Sequence, residues 1–258
     1  MLNFSSNELN ALITSFLWPL TRILGLIAVA PVFGNVTVPR RVKVALGILL
    51  ATIIAPAVQT PTGLEPMSMQ GLLILVQQLI IGIAMGFSMR VIFSAVELAG
   101  EIASMTMGLG FATFFNPQSQ GRSTAISQLL SLITLLVYLA ANVHLALLAT
   151  LVESFTTMPI TVGPMTGSLA QQVVMWAARL FSAGLQLSLP IVAALLITNM
   201  ALGILTRAAP QLNLFAIGFP ITLAVGLTMI ALTLPYFATP LQNLFQETIG
   251  TIRQMVGG

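Results

Sequence analysis

The shortage of charged residues is the feature that most restricts what this sequence can fold into. Nine Lys or Arg and six Asp or Glu are spread over 258 residues, so 6% of the chain is charged and 57% is hydrophobic. Water-soluble domains carry about 25% charged residues, because their surface faces water. This chain cannot cover a globule of its own size with polar groups, so lipid or partner proteins must cover most of its surface. The sequence therefore predicts an all-α, polytopic membrane protein.

Charged residues and prolines divide the chain into six apolar runs. A run of about 18 or more apolar residues is typical of a membrane-spanning helix. We predict about six helices, at 9–33, 44–58, 69–96, 123–151, 173–206 and 214–240. The second is short for a full span. Prolines within or beside the runs predict kinked helices in hairpins, and these are Pro19, Pro31, Pro190, Pro220 and Pro235.

Two further patterns concern helix packing. The spacing of Gly82 and Gly86 places two glycines on one helix face, which allows a second helix to approach closely. The stretch 241–256 has an apolar face and a polar face, so we expect an amphipathic helix that lies at a membrane interface or docks a partner. Its apolar face consists of Leu241, Leu244, Phe245, Ile249, Ile252 and Met255.

The basic residues predict the orientation in the membrane. Short loops rich in Lys and Arg remain in the cytoplasm, and the loop 34–43 ends with Arg40, Arg41 and Lys43. With this loop inside and both chain ends outside, 97–122 must return to its own side without spanning the membrane. Three more arginines then fall on the cytoplasmic side, namely Arg90, Arg122 and Arg207.

The residue types present argue against an enzyme. The chain has no cysteine and one histidine, His144, which excludes Cys-ligated metals and the two-histidine zinc motif. Neither a P-loop nor a Gly-x-Ser-x-Gly pattern occurs, and the single lysine, Lys43, lies beside arginines. No basic stripe that would bind nucleic acid is present. We expect no catalytic residue, no metal, no cofactor and no nucleic-acid partner.

Three charged residues within or beside the apolar runs need partners. Arg22 lies inside the first run, where an ionisable side chain usually faces protein or water, and Glu101 is a candidate carboxylate partner for it. Glu97 and Glu101 are four residues apart and would share a helix face. They are expected either to pair with Arg90 or Arg122, or to carry protons or cations, and the sequence leaves both readings open.

The stretch 97–122 is the most irregular in the chain. It mixes Met, Phe, Gly and amide side chains, with Pro117 near its end. Irregular backbone at membrane depth survives only where protein buries it or where it borders a cavity. Its bulky apolar side chains suit a stopper in a wide pore, and they equally suit an ordinary loop folded onto the helices.

Several blocks, taken in order, resemble the FliR/SctT family, the export-gate subunits of bacterial flagella and of type III secretion injectisomes. The blocks extend over about residues 20–235, and the flagellar branch matches better than the injectisome branch. They are Thr21 to Leu26, Ala30 to Phe33, Val38 to Lys43, Gln77 to Phe87, Gly100 with Glu101, Gly108 to Pro117, and Leu205 to Pro220.

The resemblance implies a core subunit of the flagellar protein-export gate, which lines and plugs the channel for unfolded flagellar proteins across the inner membrane. Family members assemble with FliP-like and FliQ-like subunits into a helical core that holds one FliR-type chain. They also meet FlhB-like and FlhA-like proteins, and the core is displaced toward the periplasm. Residues 1–172 would then be FliP-like, and 173–258 would form a FliQ-like hairpin with a C-terminal amphipathic helix.

The resemblance also implies roles for individual residues. The loop of about 106–122 is the channel plug in this family, and we call it the plug loop. Its members here are Met107, Gly108, Gly110, Phe111, Phe114, Phe115, Asn116 and Pro117, with Asn116 at a position where an acidic residue would also fit the family. Structural pairing or partner contacts are expected of Arg22, Arg40, Arg41, Lys43, Glu101, Arg207, Pro210 and Gly218.

Three other functions compete with a flagellar gate. One is a membrane-embedded enzyme, for which His144 is the only obvious base. An injectisome export-gate subunit would share the same blocks. A secondary transporter for a small solute would need polar groups that converge at broken helices near the middle of the membrane, and Arg22 and Glu101 are the candidates for such groups.

Overall fold

In the computed structural model, helices joined by turns make up the residues that it describes, which are 6–61, 65–111, 123–162, 168–211 and 214–257. No strand occurs in these ranges, so the predicted all-α class is confirmed. In chain order the α-helices are α1 Ser6–Val29, α2 Arg40–Ile54, α3 Met69–Thr106, α4 Ala125–Ala140, α5 Val143–Thr157, α6 Ser168–Ala177, α7 Arg179–Ala208, α8 Leu214–Thr233 and α9 Ala238–Gly257. Short 3₁₀ turns occupy Ala55–Ala57, Leu109–Phe111 and Leu234–Tyr236.

Four of the predicted helices were wrong in extent, and the last of them, 214–240, ends at Thr233. The third helix does not end at 96 but continues to Thr106, because Glu97 and Glu101 lie on the helix itself and no proline interrupts residues 97–106. The predicted helix 123–151 is two helices, α4 and α5, which meet at a bend of 62°. Asn142 at the bend has φ 54°, a left-handed conformation that asparagine tolerates better than most residues. The predicted helix 173–206 begins earlier and is divided into α6 and α7.

Helices of membrane-spanning length and composition confirm a polytopic membrane protein. Among the residues that the structure describes, four segments meet both criteria, namely Leu12–Val29, Met69–Thr106, Leu169–Ala208 and Ala216–Tyr236. The bent pair α4 and α5 together provides a fifth. The 15-residue α2 is not among them, in line with the short run seen in the sequence.

The chain divides into two compact units. Unit 1 comprises Met1–Val91, Asn142–Ala177 and Phe245–Gly258, and unit 2 comprises Ile92–Ala141 and Ala178–Leu244. Both α3 and α9 contribute to each unit. The predicted division at 172 and 173 concerns likeness to other subunits and stays a prediction.

Unit 1 is built on a close crossing of α1 and α3. A side chain at Gly82 would collide with the backbone carbonyl of Arg22, and one at Gly86 would lie 2.8 Å from the carbonyl oxygen of Leu26. From the other helix, a side chain at Gly25 would lie 2.7 Å from the carbonyl oxygen of Leu79. The predicted close approach at the glycine pair is therefore confirmed, and glycine is required on both helices.

Unit 2 is built on the hairpin of α7 and α8 together with α4 and the second part of α3. Gly184 of α7 lies against α3, where a side chain would be 2.9 Å from the carbonyl oxygen of Ala95. The buried Tyr138 of α4 meets Phe93 of α3 edge to face, with the ring centroids 5.5 Å apart. Small residues and aromatic packing thus bring the end of α3 close to three other helices.

The predicted amphipathic helix is α9, and its apolar face is covered by this chain. Leu241, Leu244, Phe245, Ile252 and Met255 are all buried, whereas Gln246 and Glu247 on the opposite side are exposed. The pattern in the sequence was correct. The partner that this helix docks is the rest of its own chain.

Candidate functional site

A buried arginine forms the first polar cluster, in unit 1. The Arg22 side chain has no solvent exposure, and its Nε donates a hydrogen bond of 2.7 Å to Oε1 of Gln78 on α3. Nη1 donates to the carbonyl oxygen of Ser154 at 2.7 Å and to its Oγ at 3.0 Å. Nη2 donates to the carbonyl oxygen of Met158 at 2.9 Å, and Cζ lies 4.3 Å from the ring centroid of Phe155. These five residues are the Arg22 cluster.

The Arg22 cluster closes the C-terminal end of α5. The last carbonyl groups of a helix have no partner within it and carry the negative end of the helix dipole. Arg22 donates to the carbonyl oxygen of Met158 and adds a second donor to that of Ser154, which already accepts from the N–H of Met158. It does so inside a segment long and apolar enough to span a membrane. The guanidinium thereby joins α1, α3 and α5 at one point.

Glu101 was the wrong partner to expect for Arg22. The bonds of Arg22 go to an amide, a hydroxyl and two carbonyl oxygens. The Glu101 carboxylate instead accepts a hydrogen bond of 2.8 Å from the backbone N–H of Thr124, within unit 2. Gln78 belongs to a sequence block that resembles the family, but its spacing gave no indication that it would bind Arg22.

A second polar cluster, in unit 2, joins the end of α3 to the start of α4 by hydrogen bonds. The Ser104 hydroxyl donates to Oγ1 of Thr124 at 2.7 Å, beside the bond from Thr124 N–H to Glu101. Thr124 also caps α4, since its side chain accepts from the N–H of Ser127. We call Glu101, Ser104, Thr124 and Ser127 the loop base. The plug loop therefore leaves α3 and enters α4 at one place.

A missing side chain lets the two helices of the loop base approach closely. A Cβ at Gly100 would collide with the backbone of Ser127, and the Ser127 hydroxyl donates a bond of 3.0 Å to the carbonyl oxygen of Glu97. The sequence block of Gly100 and Glu101 thus has two distinct tasks. Gly100 leaves room for α4 to approach, and the Glu101 carboxylate binds the N-cap residue of α4, Thr124.

The first residues of the plug loop are attached to α8. Met107 is completely buried, and its carbonyl oxygen accepts a hydrogen bond of 3.1 Å from Oγ1 of Thr222. Gly108 follows with φ 87°, a left-handed conformation that favours glycine, and a side chain there would lie 3.2 Å from the ring of Phe219. Leu109–Phe111 then form a 3₁₀ turn that includes Gly110. Phe114, Phe115, Asn116 and Pro117 lie outside the described residues, as does Arg122.

The remaining predicted residues belong to neither cluster. Arg40 and Arg41 begin α2 and are exposed, and Nζ of Lys43 donates to the carbonyl oxygen of Gly34 at 2.9 Å. Arg207 is exposed in the last turn of α7, where a cation is favourable. Pro210 is exposed after this turn, whereas Gly218 is buried within α8.

Large apolar side chains are exposed along α7. Such a surface is unfavourable in water and marks contact with lipid or with another protein. The exposed apolar residues of α7 include Phe181, Leu185, Leu189, Ile197, Met200 and Ile204.

A metal site would need acidic, histidine or cysteine side chains grouped together. In the part of the chain that the structure describes, no group of three or more His, Cys, Asp or Glu side chains is placed to hold a metal ion.

Comparison with known proteins places these features in one family. A family model described as "Bacterial export proteins, family 1" matches residues 13–248. The chain is 37% identical over 257 residues to the flagellar biosynthetic protein FliR of Pectobacterium carotovorum subsp. carotovorum, which covers 99% of this chain and 98% of that protein. It is 38% identical over 257 residues to the FliR of Escherichia coli strain K12, with the same coverage. The FliR of Bacillus subtilis strain 168 is 29% identical over 255 residues, covering 97% of each chain.

Proposed function

The chain belongs to the bacterial export proteins, family 1, and on this basis we propose that it is a core subunit of the flagellar protein-export gate in the bacterial inner membrane. The match over residues 13–248 carries this proposal. The relatives bear the name of a flagellar biosynthetic protein over nearly their whole length, which favours the flagellar gate over the injectisome gate.

The geometry supports a passive, gated role better than solute transport. A transporter needs its charged groups to face a substrate site near the middle of the membrane. Here the Arg22 guanidinium is buried and bonded to Gln78, Ser154 and Met158, which hold three helices together. Glu101 is bonded to the start of α4. Both candidate groups are therefore engaged in structural contacts.

The proposal extends to the plug loop. This segment, residues 106–122, blocks the channel when no substrate passes, and its aromatic groups Phe111, Phe114 and Phe115 supply the bulk of the closure. The loop base supports this role, because the bonds of Thr124 to Glu101 and Ser104 fix both ends of the loop at one place. Bulky apolar side chains on a loop tethered at its base can fill a pore without blocking assembly.

The proposal also extends to partners and location. FliP-like and FliQ-like subunits cover the exposed apolar surface of α7 and its neighbours, with one copy of this chain in each core. FlhB-like and FlhA-like proteins meet the hairpin tip near Arg207 and Pro210, and the assembled core is displaced toward the periplasm. Co-purification from mild detergent should recover this chain with small membrane proteins of the FliP and FliQ types. Recovery of a stable, functional chain alone would contradict this part.

Deleting Gly110 to Phe115 tests the plug. In cells whose own copy is replaced, we expect increased ion leak through the gate, measured as loss of membrane potential, with normal assembly of the complex. The matched control replaces the same six residues with Gly and Ser, which keeps the length but removes the aromatic bulk, and it should also leak. An unchanged leak in both variants would refute the plug assignment.

A further inference from the structure

Met107 is held from two directions at the point where α3 ends. Its side chain has no exposure to solvent, and its carbonyl oxygen accepts a hydrogen bond from the Thr222 hydroxyl. Its Cγ, Sδ and Cε atoms fill the space over Gly226, one turn further along α8. Both contacts are to the same helix.

The Met107 side chain occupies the space that a side chain at position 226 would need, so glycine is required there. A Cβ at this position would lie 2.5 Å from Cγ of Met107 and 2.7 Å from both Sδ and Cε. Carbon atoms in contact are normally about 3.5–4.0 Å apart, so even an alanine would require the methionine to move. Met107 is completely buried, so an added methyl group at 226 would have to displace its side chain within the packed helices.

Gly108 lets the chain change direction immediately after this contact. Its φ of 87° lies in the left-handed region, and a side chain there would lie 3.2 Å from the ring of Phe219 on α8. The chain is thus attached to α8 through Met107 and turns at the next residue. Where Met107 lies decides where the following residues begin.

We propose that Met107 is the anchor of the plug loop, with Thr222 and Gly226 of α8 as positioning residues, and that export requires Met107 to separate from Gly226. The inference rests on the proposed function and adds to it how the closed position is fixed. A displacement of α8, by a partner or by passing substrate, would then move the start of the loop.

The first experiment measures ion leak in cells that carry Gly226→Ala, Met107→Ala or both. The added methyl group should displace Met107 and raise the leak about tenfold, which corresponds to about 1.4 kcal/mol lost from the closed state. Removing the methionine side chain should also raise the leak. In the double variant the alanine has no methionine side chain to displace. Its increase in leak should therefore be smaller than the sum of the increases in the two single variants.

Gly203→Ala is the matched control. Gly203 lies on α7 in the same unit, and a Cβ there would meet nothing within 4 Å. We expect wild-type leak and wild-type abundance for this variant. Gly226→Ala should raise the leak while the abundance of the chain in the membrane and its co-purification stay unchanged. If Gly226 served only helix packing, the substitution would lower the abundance of the chain before it raised the leak. Fully additive effects, or a leak equal to that of Gly203→Ala, would overturn the proposal.

A second experiment uses the absence of cysteine from the chain. The pair Met107→Cys and Gly226→Cys places a sulfur near the present Cγ of Met107, within reach of a cysteine at 226. Oxidation should form the disulfide, keep leak low and stop export of flagellar subunits, and reduction should restore export. Failure of the cross-link to form would refute the geometry. Continued export with the cross-link intact would refute the required movement.

The outcomes separate this inference from the proposed function. If deletion of Gly110 to Phe115 causes no leak, the plug assignment fails, whatever the cross-link shows. If that deletion does cause leak and Gly226→Ala does not, the plug assignment stands and the anchor alone fails.

Discussion

The Arg22 cluster of unit 1 and the loop base of unit 2 solve the same problem with different strength. Both fasten helix ends inside an apolar chain. The first uses one buried cation with bonds to Gln78, Ser154 and Met158, whereas the second uses single bonds to Thr124 and close packing at Gly100. Hydrogen bonds that involve a charged group contribute about 1.5–3 kcal/mol each, and neutral ones about 0.5–1.5 kcal/mol, so the four bonds of the guanidinium outweigh the one charged and one neutral bond made to Thr124.

The difference suits the two regions to different tasks. Release of the Arg22 guanidinium would leave a bare cation and would deprive Oε1 of Gln78 and the carbonyl oxygen of Met158 of their donor inside an apolar region, so unit 1 should behave as a fixed scaffold. The loop base can lose one bond at a time. The plug loop, in the role proposed for it, must hold its position and yet yield during export, and the second arrangement suits that role better.

Substitution of Arg22 is the strongest way to break the comparison. Arg22→Met keeps roughly the length of the side chain but leaves Oε1 of Gln78 and the carbonyl oxygen of Met158 without their donor, and each buried acceptor left unpaired costs about 1–3 kcal/mol. We expect the chain to fall to under about a tenth of its normal level in membranes, measured by quantitative immunoblotting, since each 1.4 kcal/mol is a factor of ten.

Arg22→Lys is the matched control. Lysine keeps the charge but concentrates its donors at one atom, whereas the guanidinium spreads them over a planar fork. It should satisfy only part of the cluster and give an intermediate level. Normal abundance of the Arg22→Met variant would show that the cluster is no scaffold.

The sequence predicted the existence of these two regions better than their contacts. The burial of Arg22 followed from its place in an apolar run, and the close approach at Gly82 and Gly86 followed from their spacing. The partners of Arg22 did not follow, because Ser154 is 132 residues away and has no feature that marks it as an acceptor. A carbonyl oxygen belongs to every residue, so sequence patterns cannot single out one that binds a cation.

The loop base, like the Arg22 cluster, could be predicted only in part from the sequence. The irregular stretch was evident from its composition, and Glu101 was identified as a residue in need of a partner. The contact of Met107 with Thr222, 115 residues away, depends on the hole at Gly226. A glycine in a membrane helix has many uses, and only the folded chain shows which side chain fills the space beside it.

Substitution of Glu101 should have a smaller effect and resolves the two readings of this acid. Glu101→Leu leaves the N–H of Thr124 without an acceptor and should cost about 1–3 kcal/mol, measured as a lower thermal denaturation midpoint of the detergent-extracted complex. Glu101→Gln keeps an oxygen for this bond and removes the charge. If Glu101 is structural, the glutamine variant exports flagellar subunits nearly as well as the wild type. Loss of export with a normal denaturation midpoint would instead show that the carboxylate carries protons or cations.

The smallest expected effect concerns the exposed ion pair of Arg253 and Glu153, which provides the baseline for the other two. The Nε and Oε2 atoms are 3.2 Å apart, and the side chains are 56% and 47% exposed. Water and salt screen such pairs, which contribute about 0.2–1 kcal/mol. Arg253→Gln should therefore lower the denaturation midpoint of the complex only slightly, and less at high salt than at low salt, because the wild-type pair is itself weakened there. Should this variant destabilise the complex as much as Arg22→Met, burial would not be what separates strong from weak contacts in this protein, and the contrast between the Arg22 cluster and the loop base would lose its physical basis.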